Sequence, residues 1–147
     1  VVLDAAGKLH PDVILCVGQA GGRNAVTPEA AALNLRETEQ PDNAGRMPQD
    51  EPCVPGGENA LFSTLPVRRM VQAIRDAGLP GKLGCSAGTY VCNDLLYTLL
   101  HAFRGSETRV GFVHVPFLPE QAGDGVASLP LDQTVRALEA AIGAIDG

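Results

Sequence analysis

The chain has 147 residues, of which 45% are hydrophobic and 19% charged, with a net charge of −6, enough for one domain whose core needs no disulfide or metal staple. Its 11 lysines and arginines cluster no more closely than Arg68-Arg69, which argues against a nucleic-acid or anionic-membrane surface. No apolar run reaches the length of a membrane span, and Val1–Asp4 lacks the basic-then-apolar order of a signal peptide, so a soluble cytoplasmic protein is expected.

Residues Val1–Leu9 read as the last turns of a helix, stopped by His10-Pro11. Val13–Val17 is continuously apolar and rich in β-branched residues, the pattern of a strand buried on both faces of a parallel sheet. It runs into the glycine-rich turn Gly18–Arg23, whose spacing matches neither the dinucleotide fingerprint nor the phosphate loop. Thr27-Pro28-Glu29 has the form of a cap, an N1 proline and an N2 acid, which would open a helix through Leu35; Val26–Leu35 reads equally as a strand. Arg36–Ala60 is polar and rich in Pro, Gly, Asp and Asn, longer than ordinary connections, and is expected to border a site.

Leu61–Ala77 is expected to be helical, with Val67, Met70, Val71 and Ile74 inward, Arg68, Arg69 and Arg75 on a solvated face, and a stop at Gly78-Leu79-Pro80. Lys82–Cys85 reads as a short strand. The following turn enters a helix in which Val91, Leu95 and Leu99 recur at four-residue steps, closed by Arg104-Gly105. Val110–Val115 reads as a further buried strand, with His114 near its carboxyl end, where ligand-binding residues of open α/β sheets gather. Leu131–Ile145 is a final amphipathic helix with Val135, Leu138, Ile142 and Ile145 on its apolar face.

The chemistry concentrates in Gly84–Tyr97. With Thr89 as N-cap, Cys92 takes the third helical position, where a capping box would place an acid or amide. Unpaired N–H groups and the positive end of a helix dipole favour thiolate over thiol, so this is a nucleophile's position. Competing readings stand beside it: a cysteine there serves equally as a small core hydrophobe. Gly84–Gly88 also fits the G-x-S-x-G elbow, making Ser86 an alternative nucleophile, although the acid and histidine expected downstream scarcely have room. The four cysteines, Cys16, Cys53, Cys85 and Cys92, form no zinc-type spacing with histidine, so no metal site is expected, and neither Cys16 nor Cys53 is a strong disulfide candidate in a reducing compartment.

Three segments, Val17–Arg23 (VGQAGGR) with Thr27-Pro28-Glu29, Ser86–Asn93 (SAGTYVCN) and Gly111–Pro116 (GFVHVP), resemble in order and spacing the pyroglutamyl peptidase I family, also called pyrrolidone-carboxylate peptidases. The likeness runs from about His10 to Gln121 and includes Pro41-Asp42-Asn43 and Leu65-Pro66. It implies a single-domain, three-layer α/β/α sandwich around a mixed, mostly parallel sheet, assembled as a homotetramer. The implied activity is a cysteine omega-peptidase acting on peptides with an N-terminal pyroglutamyl residue, without metal or organic cofactor. The implied triad falls on Glu29, Cys92 and His114, with Gln19, Tyr90 and Val91 contacting the lactam ring and Glu29 lying in a strand.

Two features depart from the family pattern. Glu39-Gln40 stands where the family has an arginine and an apolar residue, with Arg36 as the nearby cation. A first strand and an aromatic Gly-Phe-x-Pro-Phe-Gly-Gly loop have no counterpart in residues 1–147, so the expectation is one domain, incomplete at its N-terminus. The alternative readings are a catalytically weak remnant of this fold and a serine esterase using Ser86.

Overall fold

The structure, a computed structural model, describes residues 1–146. Helix α1 (Val2–Leu9) ends at His10, whose backbone is left-handed at φ 45°, and Pro11 follows. Strand β1 (Val13–Gln19) leads through the glycine-rich turn to two short strands, β2 (Thr27–Pro28) and β3 (Ala31–Leu33). After the polar loop come β4 (Ala60–Phe62), α2 (Val67–Asp76), α3 (Val91–Ala102), β5 (Arg109–Val115), a short 3-10 turn at Pro119–Gln121, and α4 (Leu131–Gly143).

The central sheet has the order β1-β5-β2, with β1 parallel and β2 antiparallel to β5. Single bridges from Val26 to Gly81 and from Glu29 to Gly84 extend it in the parallel sense. The expected strand over Lys82–Cys85 is therefore reduced to the bridge at Gly84, with the other at Gly81 just ahead of it. Strands β3 and β4 form a separate antiparallel pair.

Alternation along β5 sorts the core onto two sides, because successive strand residues point to opposite faces. Val113 packs with Met70 and Ile74 of α2 and Ala137 and Ala141 of α4. Val110 and Phe112 pack with Leu96, Leu99 and Leu100 of α3. One helical layer thus lies on each face of the sheet, the expected α/β/α sandwich.

Several local expectations give way to tertiary pairing. Of the two readings of Val26–Leu35 the extended one holds, with Glu29 just past β2, because its backbone is committed elsewhere: Glu29 N–H donates to the Phe112 carbonyl at 2.9 Å and Ala30 N–H to that of Gly84 at 2.7 Å. Leu61 and Phe62 belong to β4, and α2 starts only after Pro66, since a proline restricts the residue before it to extended backbone. Arg69 is more than a solvated side chain: it donates to the Ala144 and Ile145 carbonyls at 2.7 and 2.8 Å and ties α2 to the end of α4.

In α4 the buried face is Thr134, Ala137 and Ala141, whereas Val135 and Ile142 are exposed. Strand β1 is not buried on both faces. Among the described residues it is an edge strand whose apolar residues are only partly covered, with Val17 51% exposed. No described helix is long and apolar enough to cross a membrane.

Candidate active site

The site is assembled at the carboxyl ends of β1 and β5. His114 is the sixth residue of β5 and projects to the same face as Val110 and Phe112, towards α3. Its ring lies 4.7 Å, centroid to centroid, from that of Phe112. Thr27 of β2 pairs with His114, which delivers Glu29, two residues later, beside the imidazole. Glu29 Oε1 lies 2.7 Å from His114 Nδ1, and both residues are buried, at 0% and 4% exposure. With Nδ1 facing a carboxylate, the Nδ1–H tautomer donates to it and Nε2 is left for another partner.

Cys92, on α3, is near enough to act on the imidazole. Burial works against the charged form of His114, but the Cys92 side chain and the Glu29 carboxylate outweigh it, and the pKa stands above its ordinary value. Cys92 sits in the second position of α3, not the third: Tyr90 is the N-cap residue and makes no side-chain cap bond. Thr89, the expected cap, instead donates its hydroxyl proton to the Glu37 carbonyl at 2.9 Å. The shift leaves the start of α3 without a side-chain oxygen over its first N–H groups, next to the sulfur.

Two glycines make room for this grouping. Gly18 pairs with His114 in the sheet, and a Cβ there would stand 2.7 Å from Phe112 Cζ and 3.2 Å from Cys92 Sγ. At Gly84 a Cβ would stand 1.9 Å from Glu29 Oε2. The carboxylate therefore fits only against bare backbone.

Gln19, at the end of β1, donates through Nε2 to Gln121 Oε1 at 2.6 Å. Tyr90 and Val91 directly precede Cys92 and are 39% and 50% exposed. The Tyr90 hydroxyl donates to the Pro41 carbonyl at 2.8 Å, so the long polar loop does border this region. Tyr90, Val91, Arg36 and Arg46 line a recess of about 100 Å³. Glu39 and Gln40 are exposed, while Arg36 is anchored by the Pro52 carbonyl at 2.9 Å and lies 3.6 Å from Asp94.

Ser86 is engaged within its own turn, accepting from Gly88 N–H at 3.1 Å and lying 3.4 Å from the Gly88 carbonyl. No imidazole is among its hydrogen-bond partners. Cys53 is buried, and its pKa is pushed up to about 11, chiefly by burial and then by Asp94. Burial, with Cys92 nearby, also pushes up the Cys16 thiol.

Two residues escaped the sequence reading as site components. Arg23 Nη1 donates to Glu29 Oε1 at 2.5 Å. Asn93, wholly buried, accepts from Leu33 N–H at 2.8 Å and donates to the Leu33 and Leu35 carbonyls at 2.8 and 3.1 Å, fastening the start of α3 to β3. Both lie inside the motifs singled out from the sequence, but their partners are six and about sixty residues away, and no local pattern reveals them.

A family model for pyroglutamyl peptidase matches residues 1–146. The pyrrolidone-carboxylate peptidase of Levilactobacillus brevis is 52% identical over 149 residues, covering 99% of this chain and 73% of that one. That of Escherichia fergusonii is 46% identical, covering 97% and 68%. The crystal structure of Bacillus amyloliquefaciens pyroglutamyl peptidase I superposes with a TM-score of 0.93 at 42% identity, over 98% of this chain and 71% of that chain. The pyrrolidone carboxyl peptidase of Thermococcus litoralis gives 0.93 at 31% identity, over 98% and 70%. The chain belongs to the pyroglutamyl peptidase family of enzymes.

Proposed function

We propose that this chain is a cysteine omega-peptidase that releases an N-terminal pyroglutamyl residue from peptides through a thioester. The observation that carries this reading is the buried Glu29–His114 hydrogen bond with Cys92 beside the imidazole. His114 Nε2 takes the thiol proton, and the Cys92 sulfur attacks the pyroglutamyl carbonyl carbon. The backbone N–H of Cys92, at the open start of α3, faces the developing oxyanion. The C–N bond then breaks as the imidazolium returns its proton to the departing amine. Water, deprotonated by the same imidazole, hydrolyses the thioester and regenerates the thiol. Glu29 orients the ring and offsets the charge it acquires.

Gln19 supplies polar recognition of the lactam, and Tyr90 and Val91 supply apolar contact; their exposure beside Cys92 suits residues that meet a ligand. Arg36 lines the same recess and provides a cation there although Glu39-Gln40 does not. The assembly that goes with this reading is a homotetramer, which size-exclusion chromatography tests.

A fluorogenic pyroglutamyl amide, run beside an ester substrate, tests the activity. Cys92→Ser and His114→Ala are expected to lower kcat/KM by roughly 10³-fold or more, with Glu29→Gln falling between them and the parent chain. Ser86→Ala should keep most of the activity. A folded Ser86→Ala as inactive as Cys92→Ser would replace this reading with the serine esterase, and a folded parent chain without turnover would leave the catalytically inactive remnant.

A further inference from the structure

The hydrogen bonding of Glu29 is one-sided. Oε1 receives both His114 Nδ1 at 2.7 Å and Arg23 Nη1 at 2.5 Å, whereas Oε2 is buried without a partner and lies against the bare backbone of Gly84. An ionised carboxylate that is 0% exposed requires a countercharge, since burying an unpaired charge is costly. His114 provides one only while protonated, and the reaction proposed above requires it to lose and regain that proton. Arg23, about one-third exposed and charged at every working pH, provides one throughout.

We propose that Arg23 is a positioning residue for the Glu29–His114 pair, holding the carboxylate to one oxygen and balancing its buried charge through both protonation states of the imidazole. This rests on the reading of His114 as the general base. The groups near the ring are Glu29 after β2, Cys92 on α3 and Arg23 from the turn after β1, with Cys16 of β1 beside Cys92. Lys82 is the other cation lining the cavity in which Arg23 lies. Removing the guanidinium takes a positive charge away from the imidazolium and leaves the neutral-His114 state with an uncompensated carboxylate. Both effects hold the proton on His114 more tightly, so its titration moves to higher pH.

The sequence contains three histidines, so the imidazole signals of the whole chain can be followed by NMR as pH is varied. In Arg23→Gln the His114 midpoint is expected to rise by about one pH unit while those of His10 and His101 stay in place. Arg23→Lys, which keeps the charge, should remain near the parent. With the pyroglutamyl amide, Arg23→Gln should lose on the order of 10- to 100-fold in kcat with KM within about twofold, and Arg23→Lys should recover part of the loss.

An unmoved His114 midpoint in a folded Arg23→Gln overturns the proposal. If Arg23→Gln does not fold, a His114 midpoint in Arg23→Lys shifted by a unit or more overturns it, and one that holds supports it. Absence of turnover in the parent chain removes the peptidase reading, but the titration still decides what Arg23 does.

Discussion

At Cys92 the helix start, the neighbouring imidazole and partial exposure coincide, and no other cysteine of the chain has all three. Cys16 and Cys53 are held as thiols, each chiefly by burial, and Cys85, although exposed, lies in the turn before α3 rather than at its start. Iodoacetamide should therefore alkylate Cys92 first in the folded protein, with Cys85 slower and Cys16 and Cys53 slowest. Mass spectrometry of tryptic peptides after short exposures reads the order directly. Uniform labelling of the four thiols, or a protected Cys92, would remove the nucleophile assignment. His114→Ala should slow Cys92 selectively, because it takes away the base and leaves the helix start intact.

Helix α3 carries the nucleophile without a side-chain cap, so its position must come from other anchors. The three Asn93 hydrogen bonds to Leu33 and Leu35 serve that purpose, together with Leu96 and Leu99, both 0% exposed in the core beneath. Asn93→Ala leaves the part-buried Leu33 N–H without its acceptor and should cost roughly 1–3 kcal/mol in urea unfolding. Turnover should fall by more than that loss of folded population explains, since the first turn of α3 positions both the sulfur and the oxyanion donor. A variant as stable and active as the parent would show that core packing alone sets the register of α3.

Across the whole molecule the covering of the sheet is uneven. Strand β5 is buried between its neighbours, but among the described residues β1 pairs on one side only, and Val13 and Leu15 line a surface recess of about 260 Å³ with Ile142 and Ile145. An edge of this kind presents unpaired N–H and C=O groups and partly wetted apolar side chains. Val17→Lys on this strand, where the side chain is 51% exposed, should therefore lower the urea midpoint far less than Val113→Lys on β5, where it is 0% exposed. Equal losses would mean that β1 is covered as fully as β5.

The sequence by itself determined the units of this protein: a strand ending in a glycine turn, a tight turn running into the Cys92 helix, and a strand placing His114 near its carboxyl end. These are legible because strand and helix periodicity, glycine turns and proline stops act over a few residues. Tertiary structure decided between the strand and helix that local pattern left open at Val26–Leu33, and it alone decided that Phe62 ends a strand before α2 begins and that Tyr90 rather than Thr89 caps α3. In each case the deciding partner lies far along the chain: Phe112 and Gly84 for the first, β3 for the second, and the Glu37 carbonyl for the Thr89 hydroxyl. The hold of Arg23 on Glu29 and of Asn93 on β3 has the same origin. A buried polar group is satisfied by whichever donor or acceptor the packed fold brings within about 3 Å, and a linear pattern does not encode that distance.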